Sequence, residues 1–111
     1  MTRRLLPALA LAAAVVTLAG LASAKDDPEV ARGRTLFSGV GCYECHGYAG
    51  QGGAAGPRIA AIAWPYVTFA AYVRHPAREM PPYTEKVLSD ADLRAIYAYV
   101  KSLPSPTTTN R

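Results

Sequence analysis

The sequence predicts an all-α protein of three to four short helices, and three observations carry that expectation. Apolar residues recur at helical spacing in two stretches bounded by helix start and stop signals, residues 28–40 and 89–103. Cys42, Cys45 and His46 stand at i, i+3 and i+4, a spacing that brings three side chains to one face of a single helical turn. No strand-like alternation surrounds that cluster.

The chain opens on a segment unlike the rest. Arg3 and Arg4 give a positive start, Leu5 to Leu21 is almost wholly apolar, and Ala22-Ser23-Ala24 forms an A-x-A site before polar Lys25-Asp26-Asp27. This pattern predicts a secretory signal peptide over residues 1–24, cleaved after Ala24. The alternative is a retained anchor, for which an apolar run of about 17 residues is at the short edge and Pro7 breaks its start. A domain over 25–104 and a flexible tail over 105–111 then follow.

Asp27-Pro28-Glu29 reads as a helix start. Asp27 can cap, Pro28 suits the first helical position, and Glu29 complements the positive helix end. Val30, Gly33, Phe37 and Val40 fall on one face, and Gly39 and Gly41 end the helix. Glycine inside a helix costs about 1 kcal/mol relative to alanine, which points to a close helix crossing at Gly33.

Cys42-Tyr43-Glu44-Cys45-His46 is C-x-x-C-H, the attachment sequence of a covalently bound c-type haem. Two thiols at this spacing can form thioethers to the porphyrin while the adjacent imidazole reaches the iron. Competing readings fare worse. A thioredoxin-like dithiol needs a βαβ context. A zinc site needs four ligands, and Cys42, Cys45, His46 and His75 are every Cys and His present, with no second paired cluster. A simple disulfide leaves His46 without a role.

Residues 47–57 are rich in glycine, but no strand precedes them and no Lys-Ser/Thr follows, so a phosphate loop is the weaker reading. The stretch reads instead as a loop around one haem edge. The carbonyl of Pro57 is free to accept the ring N–H of His46, fixing its tautomer and raising its basicity. Trp64 either packs in the core with its indole N–H on a haem propionate or merely packs. Phe69, Tyr72 and Val73 pattern as a short helix that must end before Pro76. Tyr72 reads as a core aromatic whose hydroxyl is free for an interior polar partner, and His75 as a solvated loop residue. Met80 lies in Glu79-Met80-Pro81-Pro82-Tyr83, where two prolines stiffen the loop, and it is the natural sixth ligand to the iron. The last helix starts at Ser89, with Asp92 three residues on and Leu88 and Leu93 at the staple positions. Leu93, Ile96, Tyr97, Val100 and Leu103 form its stripe, the expected partner of the Gly33–Phe37 face, and Pro104 stops it.

Lys and Arg total 12 and Asp and Glu 8 in 111 residues; without Arg3 and Arg4 the balance is about +2. No run of basic residues suggests nucleic acid. The mature chain, about 87 residues long, can bury only a marginal core unaided, and a large apolar cofactor would supply the missing interior.

On Gly33 and Phe37, Cys42-Tyr43-Glu44-Cys45-His46, Gly56-Pro57, Tyr72, Met80 and the Leu93–Tyr99 helix, the mature chain resembles a class I mono-haem cytochrome c over essentially its whole length. The Met80-Pro81-Pro82-Tyr83 run is similar to that of small bacterial cytochromes and of cytochrome c subunits of periplasmic dehydrogenases. The resemblance implies one haem c held through Cys42 and Cys45. It also implies crossing of the first and last helices at Gly33, His46 hydrogen-bonded to Pro57, and the Tyr72 hydroxyl near the Met80 sulfur. It further implies assembly outside the cytoplasm, in the bacterial periplasm. The expected function is one-electron transfer with His46 and Met80 axial. Both axial positions being filled, no open site remains, so no enzymatic activity is expected. Partners would be a donor dehydrogenase and an acceptor oxidase or cytochrome, with membrane contact only if the N-terminal segment is retained. The alternatives are a tightly bound cytochrome c subunit of a dehydrogenase complex and a haem-based gas sensor in which Met80 leaves easily.

Overall fold

The computed structural model describes residues 26–106 together with Gly20 and Ser23. The rest of the expected signal peptide, and positions 107–111 of the expected tail, lie outside the described residues. Four helices follow in order: α1 (Pro28–Gly39), α2 (Cys42–His46), α3 (Tyr66–Arg74) and α4 (Asp90–Ser102). Among the described residues there is no strand, only an isolated bridge between Gly53 and Gly56. No described helix is long and apolar enough to cross a membrane.

The helix ends follow local chemistry. The Asp27 carboxylate accepts the Glu29 N–H at 2.8 Å, and Pro28 occupies the first turn, where its missing N–H costs nothing. Gly41, at φ +85°, makes the left-handed turn that separates α1 from α2. α3 begins after Pro65 and stops at Arg74, ahead of Pro76. At α4 the Ser89 hydroxyl accepts the Asp92 N–H at 3.1 Å. The Asp92 carboxylate does not complete a reciprocal box: it pairs with Arg32 of α1, whose Nη1 also reaches the Ala91 carbonyl at 3.3 Å. Leu88 and Leu93, flanking this cap, are 2% and 1% exposed and belong to one buried cluster.

The most extensive helix pairing joins α1 and α4. A Cβ at Gly33 would run into the Ala95 carbonyl and approach the Tyr99 Cβ to 2.9 Å, so only glycine permits this crossing. Beside it, Phe37 and Tyr99 meet edge to face at 5.4 Å. The crossing is where the sequence puts it, but the α4 stripe is not the surface that meets Gly33. Ala95 and Tyr99 do so, both buried. The difference has a physical reason: α4 is covered on two sides. Its Leu93 and Ile96 look onto a cavity, while Tyr97 packs against Phe69 and Tyr66 of α3 at 5.3 and 5.4 Å. A single stripe of large apolar residues marks one of those sides; the other is made by a small residue and a tyrosine. Phe37, Phe69, Val73, Leu88, Leu93, Ile96, Tyr99 and Val100 form the core, each large side chain contributing about 1.5–3 kcal/mol by burial.

Candidate haem site

The short helix α2 carries the C-x-x-C-H cluster against this core. His46 is buried, Cys42 half-buried and Cys45 exposed, and the two thiols are not joined to each other. Burial pushes the Cys42 thiol up to about 11, with the neighbouring Cys45 adding to the rise. Among the described residues no group of three or more His, Cys, Asp or Glu gathers as a metal cluster would.

His46 is oriented from behind. Its Nδ1 lies 2.8 Å from the Pro57 carbonyl oxygen. A carbonyl can only accept, so the proton sits on Nδ1 and the lone pair is left on Nε2, the atom that can bind iron. The glycine-rich loop delivers Pro57 to that spot. The Gly52 N–H returns to the His46 carbonyl at 2.7 Å, and the Gly50 carbonyl accepts from Ile59 and Ala60 at 2.9 Å. A Cβ at Gly56 would stand 2.9 Å from the Cys45 carbonyl oxygen, so the loop lies directly on α2.

Three cavities of about 320, 330 and 1100 Å³ share walls in front of this cluster. His46 and Met80 line all three, and among the described residues no other does. The first cavity runs inward to Phe37, Phe69, Val73, Leu93 and Ile96 and is strongly apolar. The second opens past Cys42 and Cys45, and the third is floored by the 53–57 loop and the 77–79 turn. The result is a slot with an imidazole and a thioether in every part of its wall and two thiols along one edge.

The remaining predicted residues border the slot less directly. Trp64 and Tyr72 line the inward cavity and touch edge to face at 5.6 Å, yet they are 42% and 37% exposed. Neither is a core side chain: α3 turns Phe69 and Val73 inward and leaves Tyr72 at the rim, and Trp64 lies in the loop ahead of that helix. The Tyr72 hydroxyl donates to the Ala77 carbonyl at 3.5 Å rather than to Met80. His75 is exposed and lines none of the three cavities. Sequence reasoning gave no role to Tyr83, which lines the first two cavities and sends its hydroxyl to the Val40 carbonyl at 2.9 Å. A tyrosine after two prolines carries no sequence signal for such a contact.

The donor set fits haem. An apolar slot has room for a flat macrocycle, the thiols lie at its edge, and one imidazole has its Nε2 lone pair available. A helical fold with this site defines a class I, mono-haem c-type cytochrome. Residues 28–100 match the family model described as "Cytochrome C oxidase, cbb3-type, subunit III". The chain belongs to that family of c-type cytochrome domains, and is a haem-based electron carrier. No curated protein and no solved structure gives a significant match.

Proposed function

We propose that the chain is an exported one-electron carrier whose haem c is bound through Cys42 and Cys45, with His46 and Met80 as axial ligands. The observation that carries this reading is that, among the described residues, His46 and Met80 alone line every part of the slot. When bound, the haem supplies reversible Fe(III)/Fe(II) cycling. The chain's own residues do the rest. The Pro57 carbonyl holds the His46 tautomer that can ligate, and raises its basicity. The Met80 thioether favours the reduced state, and the apolar wall formed by Phe37, Phe69, Val73, Leu93 and Ile96 keeps water from one side, which acts in the same direction. Trp64 and Tyr72, at the rim, shield part of the cofactor edge. His46 and Met80 would hold the iron between them, leaving no position for a substrate, and the protein would pass electrons without catalysing a reaction of its own.

Residues 1–24 act as the export signal, 25–104 form the haem domain, 105–111 trail as a tail, and the working location is the periplasm. Donor and acceptor are redox proteins, a dehydrogenase on one side and an oxidase or second cytochrome on the other, meeting the cofactor edge in small transient contacts. The family description favours a second reading, a lasting subunit of a redox complex. Affinity isolation from periplasm and membranes separates the two: a carrier elutes alone, a subunit with a stoichiometric partner. The covalent assignment is tested by acid–acetone extraction and haem staining on a denaturing gel. Haem should stay with the chain; haem that washes out contradicts the Cys42 and Cys45 thioethers.

A further inference from the structure

The segment joining α3 to α4 carries Met80, runs over residues 75–89, and contains no helix. Closing a loop of that length costs entropy, and a ligand on it is held only as firmly as the loop is tied down. Pro81 and Pro82 restrict rotation but have no N–H with which to anchor. The first backbone donor after Met80 is therefore that of Tyr83. All three hydrogen-bonding groups of Tyr83 are used. Its N–H donates to the Val73 carbonyl at 3.1 Å, and its carbonyl accepts from Arg74 Nη1 at 2.9 Å. Its hydroxyl donates to the Val40 carbonyl at 2.9 Å. Arg74 Nη1 also reaches the Leu88 carbonyl at 2.6 Å, closing the far end of the same loop onto α3.

We propose that Tyr83, backed by Arg74, is the positioning residue that holds Met80 across the slot from His46. The backbone contacts of Tyr83 fix the Met80 loop to the end of α3. Its side chain crosses to Val40, two residues before Cys42, and so ties the thioether wall to the wall that carries α2. Tyr83 does not ligate; it sets how easily Met80 gives way to an outside ligand. The inference rests on the His46/Met80 reading above.

The test uses the haem-loaded ferric protein and imidazole as the competing ligand, followed by loss of the far-red iron–sulfur band at neutral pH. Tyr83→Phe removes one hydroxyl and leaves the ring. It should keep the band but bind imidazole roughly two- to tenfold more tightly, the fold-change expected for one hydrogen bond. Tyr99→Phe is the matched control. It deletes another partly buried tyrosine hydroxyl on a backbone carbonyl at 2.9 Å, that of Tyr48, away from the Met80 loop. It should lower the unfolding midpoint without changing imidazole affinity. Arg74→Met, which removes the Nη1 donor shared by the Tyr83 and Leu88 carbonyls, should shift affinity in the same direction as Tyr83→Phe, and carries the test if that variant does not assemble. Unchanged affinity in Tyr83→Phe, or an equal rise in Tyr99→Phe, overturns the positioning role. Absence of the band in the wild type instead overturns the Met80 ligation on which it rests.

Discussion

A backbone carbonyl is a rigid acceptor, and at Pro57 it is set where the His46 ring needs one. The 2.8 Å contact chooses the tautomer before any metal arrives. Tyr66 shows the same kind of control on a proton at the surface. Its hydroxyl lies 2.5 Å from the Asp90 carboxylate. Burial, and then this hydrogen bond, raise the phenol to about 12. The Tyr66 bond, helped by Arg94, holds the Asp90 carboxyl below its ordinary range. A raised phenol value means the neutral form is preferred in the fold. Its stabilising contribution is full below about pH 10, the unfolded value, and is lost as pH rises towards 12. For Asp90 the contribution is present above the usual carboxylate range and is lost as pH falls through its lower folded value. Urea unfolding of wild type and Tyr66→Phe should therefore diverge in slope between about pH 10 and 12, with the variant flatter. Parallel slopes would mean the Tyr66 phenol is not raised in the folded protein. That Cys42, Cys45, His46, Pro57 and Met80 border one slot was legible, because the C-x-x-C-H spacing and the Pro-Pro loop mark them in the sequence. The Tyr72 and Tyr83 hydroxyls were not, since a tyrosine's partner depends on which carbonyl happens to lie one side-chain length away in space.

Among the elements, the α1–α4 crossing has the sharpest requirement. Gly33→Val places a branched side chain against the Ala95 carbonyl and the Tyr99 Cβ, neither of which can swing away. Overpacking of this kind costs about 1–3 kcal/mol. Thermal unfolding of the haem-loaded variant should show a lower midpoint while the folded fraction keeps the wild-type spectrum. An unchanged midpoint would mean the helices do not cross there. The helices themselves were legible from Asp27, Pro28, Gly39, Ser89 and Pro104, which act locally. The face of α4 that meets α1 was hidden for a physical reason. Ala95 is small enough to admit a glycine-backed helix and so carries little hydropathy, whereas Leu93, Ile96 and Val100 dominate any reading of the pattern. Close crossings are made by small residues, and a search for large apolar stripes passes over them.

For the whole molecule, one cluster of eight buried side chains must organise a domain of modest length. Three cavities share walls beside that cluster, so the interior is laid out around a body larger than any side chain. The fold class was readable because capped helices and a C-x-x-C-H turn leave few other architectures for so short a chain. The shape of the slot was not, because it arises from residues 37 to 96 meeting in space. The mature limits proposed above rest on Arg3, Arg4, the apolar run and Ala22-Ser23-Ala24, and intact-mass measurement of the purified protein checks them. The expected mass is that of residues 25–111 plus one haem. A mass that includes Met1 to Ala24 would place the protein on the membrane by a retained anchor.

The central claim is that Met80 closes the sixth iron position opposite His46. With residues 1–24 removed, Met80 is the single thioether left in the chain, and His75, the rival imidazole, is exposed and outside the slot. The far-red absorption of the ferric protein at neutral pH tests this most directly. Wild type should show the weak iron–sulfur charge-transfer band. Met80→Ala should abolish it, lower the reduction potential and admit carbon monoxide and cyanide more readily, while His75→Ala should leave the band in place. Absence of the band in wild type, or its loss in His75→Ala alone, would contradict the account.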